Sequence, residues 1–231
     1  MSDKKGDKNV PGIHKSTQLF PQLHPEDQVF LNDKKTQLTY SKGENLFKQG
    51  AFSPYVMYII DGLVKVYLQT GHDKQINIRL ARAGDFLAFS SIFGETVYNY
   101  SAIAVKDSRV CMIDKEGLKH LLLKNPEFAL QITSRNSQNE RHLFDLIKNI
   151  SYKQMRGKLA SALLYLSTEE FLKEEVFLYL TRQDIADFAS VSIESTIKFL
   201  KEFEKEGILK LAGKDIEIID GRKLEEIGRK G

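Results

Sequence analysis

From Glu127 the chain carries no glycine or proline until Gly157. Over that run Phe128, Ile132, Arg135, Asn139, Leu143, Leu146 and Ile150 recur three or four residues apart. Such a stretch commits the middle of the chain to one long helix with apolar ends and a polar centre. A helix of this length seldom stands without a partner, which leaves two readings. It pairs with the same helix of a second copy, or it packs against the chain's own preceding domain. In the pairing reading Arg135 and Asn139 fix the register or face solvent.

The chain ahead of the helix follows a different period. Residues 1–18 read as a loose Lys/Asp/Gly-rich tail. From 19 to about 114, short strands alternate with turns. Residues 56–60 form a strand closed by Asp61-Gly62, and 63–68 a second. Residues 75–80 form a third, with Ile76, Ile78 and Leu80 alternating onto one face; 102–105 and 109–113 are two more. Strands at this spacing describe a β-sandwich or roll. A short helix over 115–124 then stops at Asn125-Pro126.

Composition narrows the function classes. The 231 residues, 42% hydrophobic, suit one large domain or two modest ones. The net charge of +3, from 34 Lys+Arg against 31 Asp+Glu, is only weakly compatible with nucleic acid. Residues 151–231 hold 14 basic and 15 acidic side chains, so contact with DNA there depends on where charges sit. Cys111 is the single cysteine, which excludes disulfide scaffolds, thiolate iron–sulfur clusters and all-cysteine zinc sites within one chain. In a strand pattern it reads as a core residue. There is no apolar run long enough to span a membrane and no signal-peptide core, so a cytoplasmic protein without membrane partners is expected. His-Glu-x-x-His spacing, a nucleophile elbow and a phosphate loop are all missing, so no enzyme is expected.

Behind the long helix the pattern turns compactly helical. Residues 155–167 are amphipathic, with Leu159, Leu163 and Leu166 on one face. In 181–200, Thr181 followed by Asp184 resembles a helix cap. Ile185, Phe188 and Ala189 make a buried face, and Ala186 is small enough for a second helix to approach. Ser190-Val191-Ser192 is the turn, with Val191 inward and Ser192 as the next cap. Thr196, Phe199 and Leu200 point inward again. Two short helices joined this way can lay the second in a DNA major groove. Ile193, Glu194, Ser195 and Lys198 would then read base edges: Glu194 accepting from cytosine, Lys198 donating to guanine or phosphate, Ile193 touching a thymine methyl. Ile197 lies at the edge of that face. Gly207 stops the helix, and 208–211 and 216–219 form a hairpin, the wing of a winged helix. Thr181, Arg182, Lys210 and Lys214 are the candidate phosphate contacts.

In order and spacing these pieces resemble the CRP/FNR family of bacterial transcription regulators, from about residue 19 to the C-terminus. Lys42-Gly43-Glu44-Asn45-Leu46-Phe47-Lys48-Gln49-Gly50 is similar to the family's opening turn and strand. Residues 58–66 are similar to its next hairpin, and Ala83-Gly84-Asp85-Phe86 to the turn before its effector pocket. Residues 181–200, followed by Phe203-Glu204-Lys205-Glu206-Gly207-Ile208-Leu209, are similar to its helix-turn-helix. The resemblance implies an α+β chain. Its parts would be a jelly-roll (double-stranded β-helix) sensor domain resembling cyclic-nucleotide-binding domains, over 19–125, a dimerisation helix over 126–150, and a winged helix-turn-helix over 151–231. It further implies a homodimer on two-fold double-stranded DNA, with recognition helices about 34 Å apart, an effector that shifts the reading heads and, in activators, contact with RNA polymerase.

The chain departs from that pattern where the family holds cyclic nucleotides. The Gly-Glu pair falls at Ala88-Phe89 and the Arg-Ser pair at Tyr100-Ser101, so neither ribose nor phosphate has its usual partner. Two expectations follow. A different small molecule sits among Phe86, Phe89, Tyr98, Tyr100 and Ser101 and the helix near Ser134 and Gln138, or aromatic side chains fill the space. A cyclic-nucleotide or haem-dependent sensor is the alternative, although His14, His24, His72, His120 and His142 are scattered; the cofactor stays unknown. The recognition helix has Ile193 and Lys198 where the family pattern has arginines, so its half-site is expected to differ.

Overall fold

The computed structural model describes residues 19–20, 22–71 and 74–231; the side chains of Gln138 and Glu140 lie outside that description. The expectations for the tail over 1–18, His14, His72 and the Gln138 side chain therefore fall outside the described residues.

The sensor half opens with helix α1 (Pro25–Asp33), an element the strand-dominated pattern does not announce. Eight strands follow: β1 (Lys35–Tyr40), β2 (Asn45–Phe47), β3 (Tyr55–Asp61), β4 (Leu63–Gln69), β5 (Gln75–Arg82), β6 (Phe86–Leu87), β7 (Ser101–Ala104) and β8 (Ser108–Asp114). They form two four-stranded antiparallel sheets, ordered β1-β8-β3-β6 and β2-β7-β4-β5. Val64, Val66, Ile59, Ala102 and Val110 fill the space between the sheets. The turn from β3 to β4 passes through Gly62 at φ +107, where any side chain would collide with Ser108.

One irregularity decides how β5 is used. Val66 pairs with Arg79 and Tyr67 with Asn77, so Ile78 is the extra residue of a β-bulge. A bulge reverses the alternation of faces. Ahead of it Gln75 and Asn77 face the C-terminal domain; beyond it Leu80 does, while Arg79 and Ala81 turn into the roll. The single face expected for Ile76, Ile78 and Leu80 is broken there: Ile78 packs with the roll and Leu80 with the C-terminal core.

Helix α2 (Lys115–Lys124) starts on Asp114, whose carboxylate accepts from the Gly117 N–H at 2.8 Å. Helix α3 (Pro126–Tyr152) has its proline in the first turn, where no N–H is needed. Its first half lies on the sensor domain. Phe128 and Ile132, expected on a pairing seam, are 2% and 4% exposed against Phe20, Phe86 and Cys111. Burial pushes the Cys111 thiol up to about 12, the chemistry of a core residue.

The C-terminal part runs α4 (Met155–Leu166), α5 (Glu169–Lys173), α6 (Val176–Tyr179), α7 (Arg182–Ala189), α8 (Ile193–Lys205), β9 (Leu209–Ala212), β10 (Asp215–Ile218) and α9 (Gly221–Lys230). Helix α9, also unannounced by the sequence pattern, packs Leu224 and Gly228 against α4. Leu63, Leu80 and Val105 of the sensor half share one apolar core with Leu159, Leu163 and Phe188 of the C-terminal half. Polar contacts surround that junction. Lys65 pairs with Asp184, the Gln75 amide donates to Asp187 at 2.7 Å, and Asn77 donates to the Asp184 carbonyl at 2.9 Å. Burial alone would raise the Asp184 carboxyl, but Lys65 and Thr181 together hold it below the usual carboxylate range.

Candidate nucleic-acid interface and effector cavity

The reading head is set by its caps. Thr181 Oγ1 accepts from the Asp184 N–H at 3.0 Å, and the Asp184 carboxylate accepts from the Thr181 N–H at 2.8 Å, a complete capping box at the start of α7. Ser190 takes the left-handed conformation (φ 52) that turns the chain. Ser192 Oγ accepts from the Ser195 N–H at 3.2 Å and starts α8. Ala186 is fully buried where the helices approach, and Thr196, Leu200 and Phe203 anchor α8 in the core.

That anchoring leaves Glu194, Ile197 and Lys198 exposed on the opposite side of α8, with Ile193 half-buried beside them. Hydrogen bonds from its own backbone N–H and from Ser192 hold the Glu194 carboxyl below its usual range, so it is an ionised acceptor near neutral pH. Lys198 lies 4.0 Å from Glu202 on the next turn and 5.7 Å from the centre of the Phe199 ring. Ser195 is placed less freely, since its hydroxyl donates to Met155 Sδ at 3.7 Å. Lys210 and Lys214 stand exposed on the β9–β10 wing. The Arg182 guanidinium, expected at a phosphate, donates to the carbonyls of Gly213 at 2.8 Å and Lys214 at 3.1 Å and so fastens the wing turn to α7. The Thr181 hydroxyl is likewise engaged in the cap.

A second site lies between the sensor roll and α3. This cavity of about 580 Å³ is walled by Val66, Ile78, Phe86, Phe89, Phe93 and Tyr100 from the roll. Thr133, Asn136, Ser137, Asn139 and Leu143 line it from the helix, and Arg79 and Ser90 complete it. The aromatic side chains therefore line the space without filling it. Three expected pocket positions change. Tyr98 stacks on Phe47 inside the roll at 4.0 Å between ring centres, and the Ser101 hydroxyl accepts from the Gln49 N–H; neither is on the cavity wall. Ser134 is exposed beside the cavity, and its neighbour Thr133 supplies the hydroxyl. Asn139 and Leu143, expected on a dimer seam, line the cavity wall. The Tyr100 hydroxyl oxygen accepts from the Ala88 N–H at 2.6 Å, closing that backbone donor to any ligand.

Sequence reasoning missed Arg79. A charged residue in a strand normally reads as solvent-facing, and only the bulge before it turns it inward. Its Nη2 donates to the Phe86 carbonyl at 3.1 Å; its Nη1 is buried without a hydrogen bond, 3.5 Å from Asp85. Asp85 also faces Arg135 at 3.4 Å and accepts from the Arg82 N–H at 2.9 Å. Arg135, expected on the pairing seam, thus lies over the Ala83–Gly84–Asp85 turn and donates to the Ala83 carbonyl. Gly84, at φ +88, leaves the room it needs.

The rest of α3 divides by face. Leu146 and Ile150 turn toward α4, and His142 stacks on Tyr165 while meeting the Ile78 carbonyl at 2.9 Å. Leu130, Phe144 and Ile147 are 71%, 64% and 59% exposed. Among the described residues no group of three or more His, Cys, Asp or Glu is placed to hold a metal, and no helix is long and apolar enough to cross a membrane.

Comparison with known proteins bears on both sites. Residues 37–125 match the cyclic nucleotide-binding domain family, and residues 157–227 match the Crp-like helix-turn-helix domain. The fumarate and nitrate reduction regulatory protein of Vibrio cholerae is 30% identical over 210 residues, covering 89% of this chain and 82% of that protein. A CRP-like cAMP-activated global transcriptional regulator of Mycobacterium tuberculosis is 23% identical over 215 residues, covering 91% and 96%. In fold, a transcriptional regulator of the crp/fnr family from Eubacterium rectale superposes with a TM-score of 0.72 at 20% identity, over 93% of this chain and all of that one.

Proposed function

The chain belongs to the CRP/FNR family of bacterial transcription regulators, and on that premise we propose how its parts divide the work. It is a DNA-binding regulator. Two copies pair along α3 and present two α8 helices to a two-fold DNA site. A small molecule in the cavity beside Arg79 biases the pose of those helices.

One observation carries this reading: the free face of α8. Thr196, Leu200 and Phe203 are committed to the core, so Glu194, Ile197 and Lys198 have no intramolecular task beyond the helix's own turns. Glu194 as an ionised acceptor suits a cytosine amino group, and Lys198 suits guanine or phosphate. Lys210 and Lys214 on the wing add sequence-independent attraction.

Pairing uses the face of α3 that the sensor domain leaves uncovered. Leu130 and Phe144 stand two heptads apart, and Ile147 follows three residues on. A second copy covers this stripe, because the same helix brings an identical stripe to a two-fold axis.

The test is operator binding by Lys198→Ala against Lys74→Ala, a control at an exposed position in the sensor half. Losing a base contact costs about 1–3 kcal/mol, so the first change weakens specific binding by roughly fivefold to a hundredfold and the second leaves it near wild type. Equal effects contradict the assignment of α8.

A further inference from the structure

We propose that the cavity between the sensor roll and α3 takes an organic monocarboxylate with an apolar body, anchored on Arg79. This rests on the reading of that cavity as the effector site and names the chemistry of its ligand.

The charge count around Arg79 comes first. Its side chain is 9% exposed, and Nη1 is buried with no hydrogen bond. Asp85, its one anionic neighbour among the described residues, also faces the Arg135 guanidinium and caps the Arg82 N–H. Two guanidinium groups thus share one carboxylate, leaving about one positive charge without a counterpart beside a largely apolar space. Buried charge of that kind calls for a partner, and a guanidinium edge fits a carboxylate in its own plane.

The walls then define what the anion is attached to. Phe86, Phe89, Phe93, Val66, Ile78 and Leu143 offer rings and aliphatic surface. The volume, about 580 Å³, lies within the range of ordinary small-molecule sites, roughly 300–1,000 Å³, and is far beyond an inorganic ion. Among the described residues no lysine and no second arginine lines it, so a dianionic phosphate monoester would bring one charge too many. Among the described residues no carboxylate lines it either, so a ribose finds no charged acceptor there. Tyr100 already satisfies the Ala88 N–H that a cyclic phosphate could have used. From α3, Thr133, Asn136, Ser137 and Asn139 add neutral polar contacts around the body of the molecule.

The bulge at Ile78 ties this site to the reading head. Asn77, directly before it, holds the α7 backbone at Asp184; Arg79, directly after it, faces the cavity. A ligand that pulls on Arg79 acts on the strand that carries the contact to α7.

The test is calorimetry on the full-length protein with octanoate, decanoate, benzoate and 2-naphthoate. The corresponding primary amides serve as neutral controls, and cyclic AMP is the competing class. The expected result is that at least one carboxylate binds, that its amide binds at least about tenfold more weakly, and that Arg79→Gln loses a similar factor. Arg79→Gln also removes the bond to the Phe86 carbonyl, so the comparison of acid with amide on the unaltered protein decides the matter if the variant does not fold. The proposal is overturned if no carboxylate binds, if amides bind equally well, or if cyclic AMP alone binds. Operator affinity measured without ligand separates the two readings. Normal DNA selectivity with no carboxylate binding defeats this inference alone. Carboxylate binding with unchanged DNA affinity keeps the site and defeats its role as effector pocket.

Discussion

At the scale of single residues, several groups are defined by what burial does to their charge. His142 sits between the roll and α4, its ring stacked on Tyr165 and its Nε2 at the Ile78 carbonyl. Burial pushes its pKa below the usual 6.5; the Ile78 carbonyl and Asp145 oppose that and Arg79 adds to it. A histidine whose pKa is lower folded than unfolded binds more protons in the unfolded chain. Its contribution is therefore complete above pH 6.5 and is lost as pH falls from there through the lowered value. We expect the wild-type thermal midpoint to drop more between about pH 8 and about pH 5 than that of His142→Gln, which carries no titrating ring. Parallel curves for the two proteins would show that His142 contributes nothing to acid sensitivity. Arg79 and Arg182 were the residues least accessible to sequence reasoning. Both look like surface cations in the one-dimensional pattern; one is turned inward by a bulge and the other is held by two wing carbonyls.

Among elements, α3 and β5 carry the most information because each serves two sides. The long helix was legible from its lack of glycine and proline and from its apolar spacing. Which stripe pairs was not legible, because periodicity reports that a face is covered and not by what. Phe128 and Ile132 belong to the sensor core, Asn139 and Leu143 to the cavity, and Leu146 and Ile150 to the α4 side. Leu130, Phe144 and Ile147 are exposed, and they make the stripe on which we propose that a second copy docks. Phe144→Glu places a carboxylate on both sides of that interface. At several kcal/mol for each buried unpaired ion, dimerisation should weaken by a factor on the order of a hundred or more. Sedimentation velocity over a concentration series reads this directly. A variant that dimerises like wild type would move the interface elsewhere. For β5 the sequence misled in the opposite sense: its alternation looked regular, and the bulge that breaks it leaves no mark in residue type.

In the whole molecule, sensor and reading head are coupled by packing as well as by charge. One apolar core crosses between them, and Lys65, Gln75 and Asn77 grip α7 from the sensor side. The winged helix was the most readable part, since caps, a small residue at the helix crossing and glycine stops all lie close together in sequence. The cavity was the least readable, because its wall is gathered from β4, β5, β6 and the segment after it, the residue before β7, and α3, positions that meet only in the folded chain. The central claim concerns the exposed side of α8 in a two-fold dimer. Selection of bound duplexes from random DNA by the purified protein tests it most directly. The enriched sequences should form an inverted repeat with half-site centres about 34 Å apart, and Glu194→Ala should change the preferred base at one position of each half-site. Enrichment of no sequence, or of one indifferent to changes at Glu194 and Lys198, would contradict it.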